Sequence, residues 1–174
     1  MSEGRMLISD RPGYSPGIGR LVAMMEYTRD STLVEVEGLS TDQLDHLHDP
    51  QSNSIGALLH HVAAVERYYQ GTLGIRAEDG SPEVERDWEA AGELGDVGRQ
   101  RLRGRPLSHY LAILADVRAR TLAALRQRDD AWLELEERWG EERVNYHWMW
   151  FHVFEDELNH RGQIRWLKRR LPGR

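Results

Sequence analysis

The chain has no cysteine among its 174 residues. This absence excludes a disulfide framework, a thiolate zinc site and a cysteine nucleophile. No stretch reaches the roughly 18 consecutive apolar residues that a membrane-spanning helix needs, and the first residues lack an apolar run of signal-peptide length. We therefore expect a cytoplasmic protein that has no membrane partner.

Basic residues are in the minority, with 23 Lys and Arg against 29 Asp and Glu, so the net charge is −6. This balance, together with the lack of a recognition motif, argues against a nucleic-acid partner. Walker loops, dinucleotide fingerprints and nucleophile elbows are missing from the sequence as well. Apolar residues make up 40% of the chain, which is enough for a packed domain rather than a disordered segment.

Apolar residues at helical spacing predict four long helices. Their expected ranges are 18–37, 54–73, 107–127 and 144–170. Residues 74–106 are rich in glycine and hold too few apolar residues for a core of their own, so they are interpreted as a crossover containing one short helix. Gly140 lies in an interruption before the last helix, where we expect a small hairpin or an open loop.

These elements predict an all-α fold, a four-helix bundle with a long crossover between helices 2 and 3. The expected organisation is a flexible N-terminal arm over residues 1–17 and a single domain over residues 18–174. In such bundles, metal sites are built in the core from side chains on facing helices.

The inward stripe of the last predicted helix is apolar at both ends and polar in its middle. Its members are Met149, His152, Val153, Asp156, His160, Gln163, Ile164, Leu167 and Leu171. Burying polar groups without partners costs roughly 1–3 kcal/mol each, so something must satisfy the polar ones. Asp156 and His160 have the i, i+4 spacing that allows two side chains of one helix to bind one ion. Two alternatives remain open, a hydrogen-bonded core histidine and a simple pair between Asp156 and His160.

Two adjacent histidines on the second predicted helix are separated by the helical period. At roughly 100° per residue, His61 lies on the flank of the apolar face, whereas His60 lies nearly opposite its centre. We expect His61 to reach a neighbouring helix and His60 to meet solvent. Glu66 falls near the apolar face, either as a carboxylate that supports a metal ligand or as a side chain whose stem reaches outward.

His61, Asp156 and His160 would together form a set of two histidines and one carboxylate with open coordination positions. Such a set suits one divalent transition metal: iron, nickel, manganese or zinc. The sequence therefore predicts a candidate metal site between the second and fourth long helices.

Three segments resemble the DinB / YfiT-like superfamily of metal-dependent proteins. They are VEGLSTDQLDH (36–46), SIGALLHHVAAVERYY (54–69) and HVFEDELNHRGQI (152–164), and the resemblance covers roughly residues 18–171. Members are four-helix bundles that often dimerise. Their metal ion is held by one histidine of the second helix and two histidines spaced four apart on the last helix. Carried onto this chain, these positions are His61, Asp156 and His160, with aspartate where the family usually has histidine.

The resemblance implies a metal-dependent S-transferase, or a related hydrolase or isomerase, that uses a small thiol such as bacillithiol or mycothiol as cosubstrate and acts on a small molecule. The alternative is a non-catalytic, metal-stabilised dimeric bundle that acts as a stress-response binding protein. Around the ligands, the expected supporting or pocket residues are Glu66, Tyr69, His152 and Gln163. Tryptophan and phenylalanine on the last helix exceed what one bundle face needs, which predicts a homodimer.

Overall fold

Four long helices dominate the computed structural model, which describes residues 6–75 and 80–172. The elements in chain order are α1 (Pro16–Val36), α2 (Thr41–Asp45), α3 (Ile55–Tyr69), α4 (Pro82–Glu93), α5 (Gly95–Arg101), α6 (Leu107–Leu125), α7 (Asp130–Leu133), β1 (Glu136–Trp139), β2 (Glu142–Asn145) and α8 (Tyr146–Lys168). The predicted all-α four-helix bundle is confirmed, and the bundle helices are α1, α3, α6 and α8. The start and end of the chain, residues 1–5 and 173–174, lie outside the described residues, as does part of the predicted crossover, residues 76–79.

Side chains with oxygen acceptors fix where the helices of the site begin. The Ser54 hydroxyl accepts a hydrogen bond from the backbone N–H of Ala57 at the start of α3. The Asn145 side chain accepts from the N–H of Trp148 at the start of α8. Such caps satisfy N–H groups that have no partner within the helix. They set the register in which α3 and α8 present their histidines.

The N-terminus of α1 is capped by a residue that lies far away in the sequence. The Asp130 carboxylate accepts from the N–H of Gly17 at 2.9 Å and from the Ser15 hydroxyl at 2.5 Å. A Cβ on residue 17 would lie 2.8 Å from an Asp130 oxygen, so a larger residue there would displace the carboxylate from its present position. The contact holds α7 against the first turn of α1, where a negative charge is favourable.

The crossover covers the outer side of α3. Ala90 and Ala91 of α4 are fully buried beside Ala57 and Ala64 of α3, and small side chains allow the two helices to approach closely. One face of α3 therefore packs against α6 and α8, and another packs against α4. This second contact decides the environment of the two histidines.

An antiparallel hairpin of β1 and β2 precedes α8, with Trp139 paired to Glu142 across the turn. Gly140 lies in the turn with a φ of 62°, a left-handed conformation that favours glycine. Of the two predicted alternatives, the hairpin is the correct one. α8 begins at Tyr146 rather than at residue 144 because Val144 and Asn145 belong to the second strand.

A closed ring of four buried charges joins the four long helices. Arg29 of α1 donates to Glu157 of α8 at 2.9 Å and to Glu66 of α3 at 3.1 Å. Arg118 of α6 donates to Glu66 at 2.8 Å and to Glu157 at 3.4 Å. Burial alone would raise the pKa of Glu66, but the charges of Arg118 and Arg29 hold it below its ordinary value. This arrangement neutralises the bundle centre and fixes the register of all four helices.

The helices described here are too short or too polar to cross a lipid bilayer: none within residues 6–75 and 80–172 combines the required length and hydropathy.

Candidate metal centre

The side chains of His61, Asp156 and His160 converge between α3 and α8. One potential ligand atom of each residue lies within 4.8 Å of those of the other two. The Asp156 carboxylate lies between the histidines, with Oδ2 3.7 Å from His61 Nε2 and Oδ1 3.4 Å from His160 Nε2. The two imidazole rings approach edge to face, with centroids 4.7 Å apart. This cluster could hold a metal ion.

The crossover fixes the orientation of His61. Its Nδ1–H donates to the carbonyl oxygen of Ala91 in α4 at 2.7 Å. Because a carbonyl can only accept, this bond places the proton of a neutral imidazole on Nδ1 and leaves a lone pair on Nε2. A backbone carbonyl that orients a histidine in this way is the usual outer partner of a metal ligand.

The Nε2 lone pair of neutral His61 faces a carboxylate oxygen of Asp156, so two acceptors confront each other. Among the described residues, Asp156 Oδ2 and His160 Nδ1 are buried without a hydrogen-bond partner. A cation beside Asp156 Oδ2 and His61 Nε2 would satisfy the carboxylate oxygen, and a proton on His61 would do the same; His160 faces Asp156 with Nε2, so its Nδ1 needs a different partner. The donor atoms therefore fit a divalent metal ion.

Electrostatic interactions within the cluster favour the protonated form of His61 and the ionised form of Asp156. Burial alone would lower the pKa of His61, but Asp156 and the Ala91 carbonyl raise it above its ordinary value. Burial alone would raise the pKa of Asp156, but His160 and His61 hold it far below its ordinary range. Asp156 is therefore a carboxylate at any physiological pH, as a metal ligand must be.

The three side chains are close to the surface rather than deep in the core, with exposed fractions of 14% for His61, 15% for Asp156 and 11% for His160. Solvent or a small molecule can approach such a cluster from one side. Catalytic metal sites keep an open coordination position of this kind, whereas structural sites are closed by protein ligands.

Two of the four expected supporting residues lie beside the cluster. Asp156 contributes to raising the pKa of Tyr69, after burial and Tyr68, to a value of about 12. His152, one helical turn before Asp156, packs edge to face on Tyr69 with ring centroids 6.0 Å apart. The His152 imidazole also lies 3.0 Å from a carboxylate oxygen of Glu155.

The other two expected supporting residues have different surroundings. Glu66 is fully buried in the ring of charges at the bundle centre, so it neither reaches outward nor contacts the ligand nitrogens. Gln163 is exposed, although the inward stripe of the sequence placed it in the core. The inward face of α8 is narrower than that stripe, because the neighbouring helices cover only the side that holds His160 and Ile164.

The prediction that His60 meets solvent is wrong. Its side chain is only 2% exposed, and its ring packs edge to face on Trp88 of the crossover with centroids 4.8 Å apart. Burial and the nearby Arg105 lower the pKa of His60 to about 4. The physical reason is that α4 packs on the outer side of α3, so the face of α3 that the sequence predicted to be exposed is buried between the two helices.

Sequence reasoning also missed Arg29, Arg118 and the carbonyl of Ala91. The two arginines carry a detectable signal, because each falls at a helical position that continues an apolar stripe. A charged residue at such a position indicates a buried partner of opposite charge. No comparable signal marks Ala91, because its contribution comes from the backbone.

The family comparison agrees with this arrangement of helices and side chains. A family model described as mycothiol-S-transferase matches residues 20–173. The chain belongs to the mycothiol S-transferase family. This assignment confirms the resemblance to DinB-like proteins that the three sequence segments carry.

A comparison with solved structures bears on the fold. A crystal structure described as a conserved protein of locus from Enterococcus faecalis superimposes with a TM-score of 0.63 at 14% identity, covering 88% of this chain and 96% of that one. At this identity, the likeness shows a shared fold alone. No curated protein sequence matches the chain.

Proposed function

We propose that this member of the mycothiol S-transferase family is a divalent-metal-dependent transferase that joins a small thiol to a small electrophile. The observation that carries the proposal is the convergence of His61, Asp156 and His160, with potential ligand atoms within 4.8 Å of one another, in a cluster that solvent can approach. Family membership supports the thiol as the first substrate. The absence of cysteine in the chain fits this scheme, because the cosubstrate then supplies the sulfur nucleophile.

The reaction has a simple balance. The thiol loses its proton, its sulfur forms a bond to an electrophilic carbon, and the leaving group departs with the bonding electron pair. His61, Asp156 and His160 would hold the ion, which when bound would supply Lewis acidity that lowers the pKa of the thiol. The protein contributes the geometry that holds the ligand side chains together.

Each residue of the cluster has a distinct role in this proposal. His61, oriented by the Ala91 carbonyl, presents Nε2 as a ligand. Asp156 supplies a negative charge between the two histidines, and His160 supplies the second imidazole. We assign to His152, which pairs with Glu155 at 3.0 Å, the role of accepting the proton that the thiol releases.

The aspartate alters the expected metal preference. A carboxylate is a harder ligand than an imidazole, so this set is less selective for zinc than three histidines would be. We propose zinc, nickel, iron or manganese as the physiological ion, with one ion in each chain.

The proposal is tested by measuring metal content and transfer together. Protein purified without a chelator or a nickel column should contain about one divalent ion per chain by elemental analysis. Adding that ion to chelated protein should restore thiol consumption in the presence of mycothiol and a chloronitrobenzene. His61→Ala and His160→Ala should lose both ion and activity, because two remaining ligands rarely hold a divalent ion against water.

His147→Ala is a matched control, because His147 is an exposed histidine on the same helix as His160. This variant should keep wild-type metal content and activity. A metal ion that raises the melting temperature without any transfer activity would contradict the catalytic proposal and favour a non-catalytic metal-stabilised binding protein. Wild-type protein that binds no divalent ion would contradict both functions.

A further inference from the structure

One face of α8 carries a continuous row of aromatic and polar side chains on both sides of Asp156. At roughly 100° per residue, the row spans about 80° of the helix circumference. Its members are Trp148, His152, Asp156, Asn159, Gln163 and Trp166. The proposed metal ligand therefore lies near the middle of a single surface stripe, with one tryptophan near each end.

A cavity of about 640 Å³ opens at the N-terminal end of this row, between the hairpin and α8. We call it the hairpin pocket; Trp139, Trp148 and Val144 provide its apolar surface. Trp139 is 36% exposed and Trp148 is 43% exposed, so both rings are accessible to a ligand. The Arg143 guanidinium at the rim forms an ion pair with Glu136, so its charge is neutralised. The volume of the hairpin pocket lies in the range of small-molecule binding sites.

Aromatic rings extend from the hairpin pocket toward the metal centre. Trp148 stacks on His152 with centroids 5.3 Å apart and an angle of 12° between the ring planes. Tyr69 stacks on Trp139 at 5.8 Å, and it also contacts His152. Trp148 and Asp156 are eight residues apart on one helix, which corresponds to about 12 Å. A molecule that rests on the tryptophans can therefore extend along the rings toward Asp156.

A second cavity of about 590 Å³ lies beyond Asp156 in the other direction along the helix. Its lining differs in chemistry, with the amide side chains of Gln51, Asn53, Asn159 and Gln163 beside Trp166. Amide groups offer both hydrogen-bond donors and acceptors without net charge. This cavity suits a ligand with several polar groups because four amide side chains line it, whereas two tryptophan rings line the hairpin pocket.

We propose that the hairpin pocket is the binding site for the electrophilic substrate and that this substrate is a flat, uncharged aromatic compound. The inference rests on the proposed transferase function, because a two-substrate reaction needs two sites that meet at one reacting centre. The ring surface of Trp139 and Trp148 favours stacking with an aromatic body. Glu142 also lines the hairpin pocket, so Glu136, Glu142 and Arg143 together leave one net negative charge there, which disfavours an anionic ligand. In this proposal, the polar thiol approaches from the cavity that is lined by amide side chains.

The binding test uses 1,3-dinitrobenzene, which is flat and uncharged and has no halide leaving group. Titration calorimetry is performed on metal-loaded and on chelated protein, so that binding is measured independently of turnover. Trp148→Leu should weaken binding about tenfold, and Trp148→Phe should weaken it less because a flat ring remains. Trp166→Leu is the matched control, an exposed tryptophan on the same face of the same helix, and it should change binding less than about twofold.

A direct readout accompanies the affinities. In ¹⁵N spectra, dinitrobenzene should shift the indole N–H signals of Trp139 and Trp148 and leave the signal of Trp166 in place. Melting curves of all variants identify any loss of fold, and the indole shifts of the wild type require no variant. Equal effects of Trp148→Leu and Trp166→Leu, or shifts confined to Trp166, would overturn the proposal.

The two proposals fail in different ways. Protein that binds dinitrobenzene at the hairpin pocket but has no metal and no transfer activity would contradict the proposed function alone. Active, metal-loaded protein whose dinitrobenzene affinity is unaffected by Trp148→Leu would contradict the hairpin pocket alone. A pocket covered by a second copy of the chain would show no indole shifts at concentrations where light scattering reports a dimer, and it would also contradict the hairpin pocket.

Discussion

The Nδ1–H of His61 donates to the carbonyl oxygen of Ala91 at 2.7 Å, which joins a proposed metal ligand of α3 to the backbone of the crossover. The crossover therefore contributes to the site, although it provides none of the three proposed ligands. A backbone partner orients the imidazole without adding charge, so its influence acts through position.

Ala91→Leu should weaken metal binding through this contact. Ala91 is fully buried, and a larger side chain displaces α4 from α3 at a cost of about 1–3 kcal/mol of stability. Loss of an outer partner typically lowers metal affinity about 10- to 100-fold. A competition titration with a chromophoric chelator measures the change. Gly92→Ala is the control, because an added Cβ there meets no atom within 4 Å. Unchanged affinity in Ala91→Leu would remove the proposed role of the crossover.

Asp156→His should increase the preference for zinc. The replacement converts the ligand set to three histidines, which are softer donors than a carboxylate. We expect the ratio of zinc to manganese affinity to rise about tenfold, as measured by parallel titrations of chelated protein. Glu155→Gln removes a neighbouring charge without touching the proposed ligands and should leave the ratio unchanged. An unchanged ratio of zinc to manganese affinity in Asp156→His would mean that the carboxylate does not occupy a ligand position.

Glu66→Gln should strongly destabilise the bundle. The change leaves Arg29 and Arg118 with a buried positive charge in excess, which typically costs about 3–5 kcal/mol of unfolding free energy. Urea unfolding measures this loss. Glu35→Gln breaks the surface pair with Arg165 and should cost at most about 1 kcal/mol. A similar small loss in both variants would show that the buried ring contributes no more than a surface pair.

The ring also predicts an acid dependence. The pKa of Glu66 is lowered in the folded state from its ordinary value of 4.5, so its contribution is complete above that pH. The contribution is lost as pH falls through the folded pKa, because the unfolded chain binds the proton first. Glu66→Gln removes this titration, so the stability difference between wild type and variant should shrink below pH 4.5.

His60 predicts a second, milder acid dependence. Its pKa is about 4 in the folded state against 6.5 ordinarily, so the unfolded chain binds a proton more readily between these values. Folding stability should therefore fall from pH 6.5 toward pH 4, by up to about 3 kcal/mol from this residue. Urea unfolding of chelated His60→Phe should show a flatter profile than wild type. His147→Phe, which changes a surface histidine, should keep the wild-type slope; equal slopes in wild type and His60→Phe would contradict the prediction.

A homodimer remains a prediction. The motivation is the excess of tryptophan and phenylalanine on α8, of which Phe151 is 44% exposed and lies outside the hairpin pocket. Light scattering at tens of micromolar should give twice the chain mass of 20.2 kDa. Phe151→Glu should shift the protein toward the monomer, whereas Tyr68→Glu, at an exposed residue of another helix, should not. A monomer mass for the wild type would remove the prediction.

The helical period predicted side-chain environments correctly where a helix has one buried face and incorrectly where a helix has two. The flank position of His61 and the i, i+4 pair on α8 follow from the period of a single helix, and the structure brings these three residues together. The error at His60 arose because a second helix covers the side of α3 that faces away from the bundle. The period of one helix does not indicate whether a second helix, from a glycine-rich segment of irregular sequence, packs on its outer side.

The sequence by itself determined the four long helices, the interruption before the last one and the family, since each depends on local spacing or on short motifs. The tertiary structure decided which polar residues are buried together. Arg29, Glu66, Arg118 and Glu157 are separated by up to 128 positions, and only the packing of four helices closes them into one ring. Likewise, the Ala91 carbonyl meets His61 only because α4 packs on α3. Short-range order is encoded in the helical period, whereas contacts between distant segments depend on how the faces of whole helices are paired.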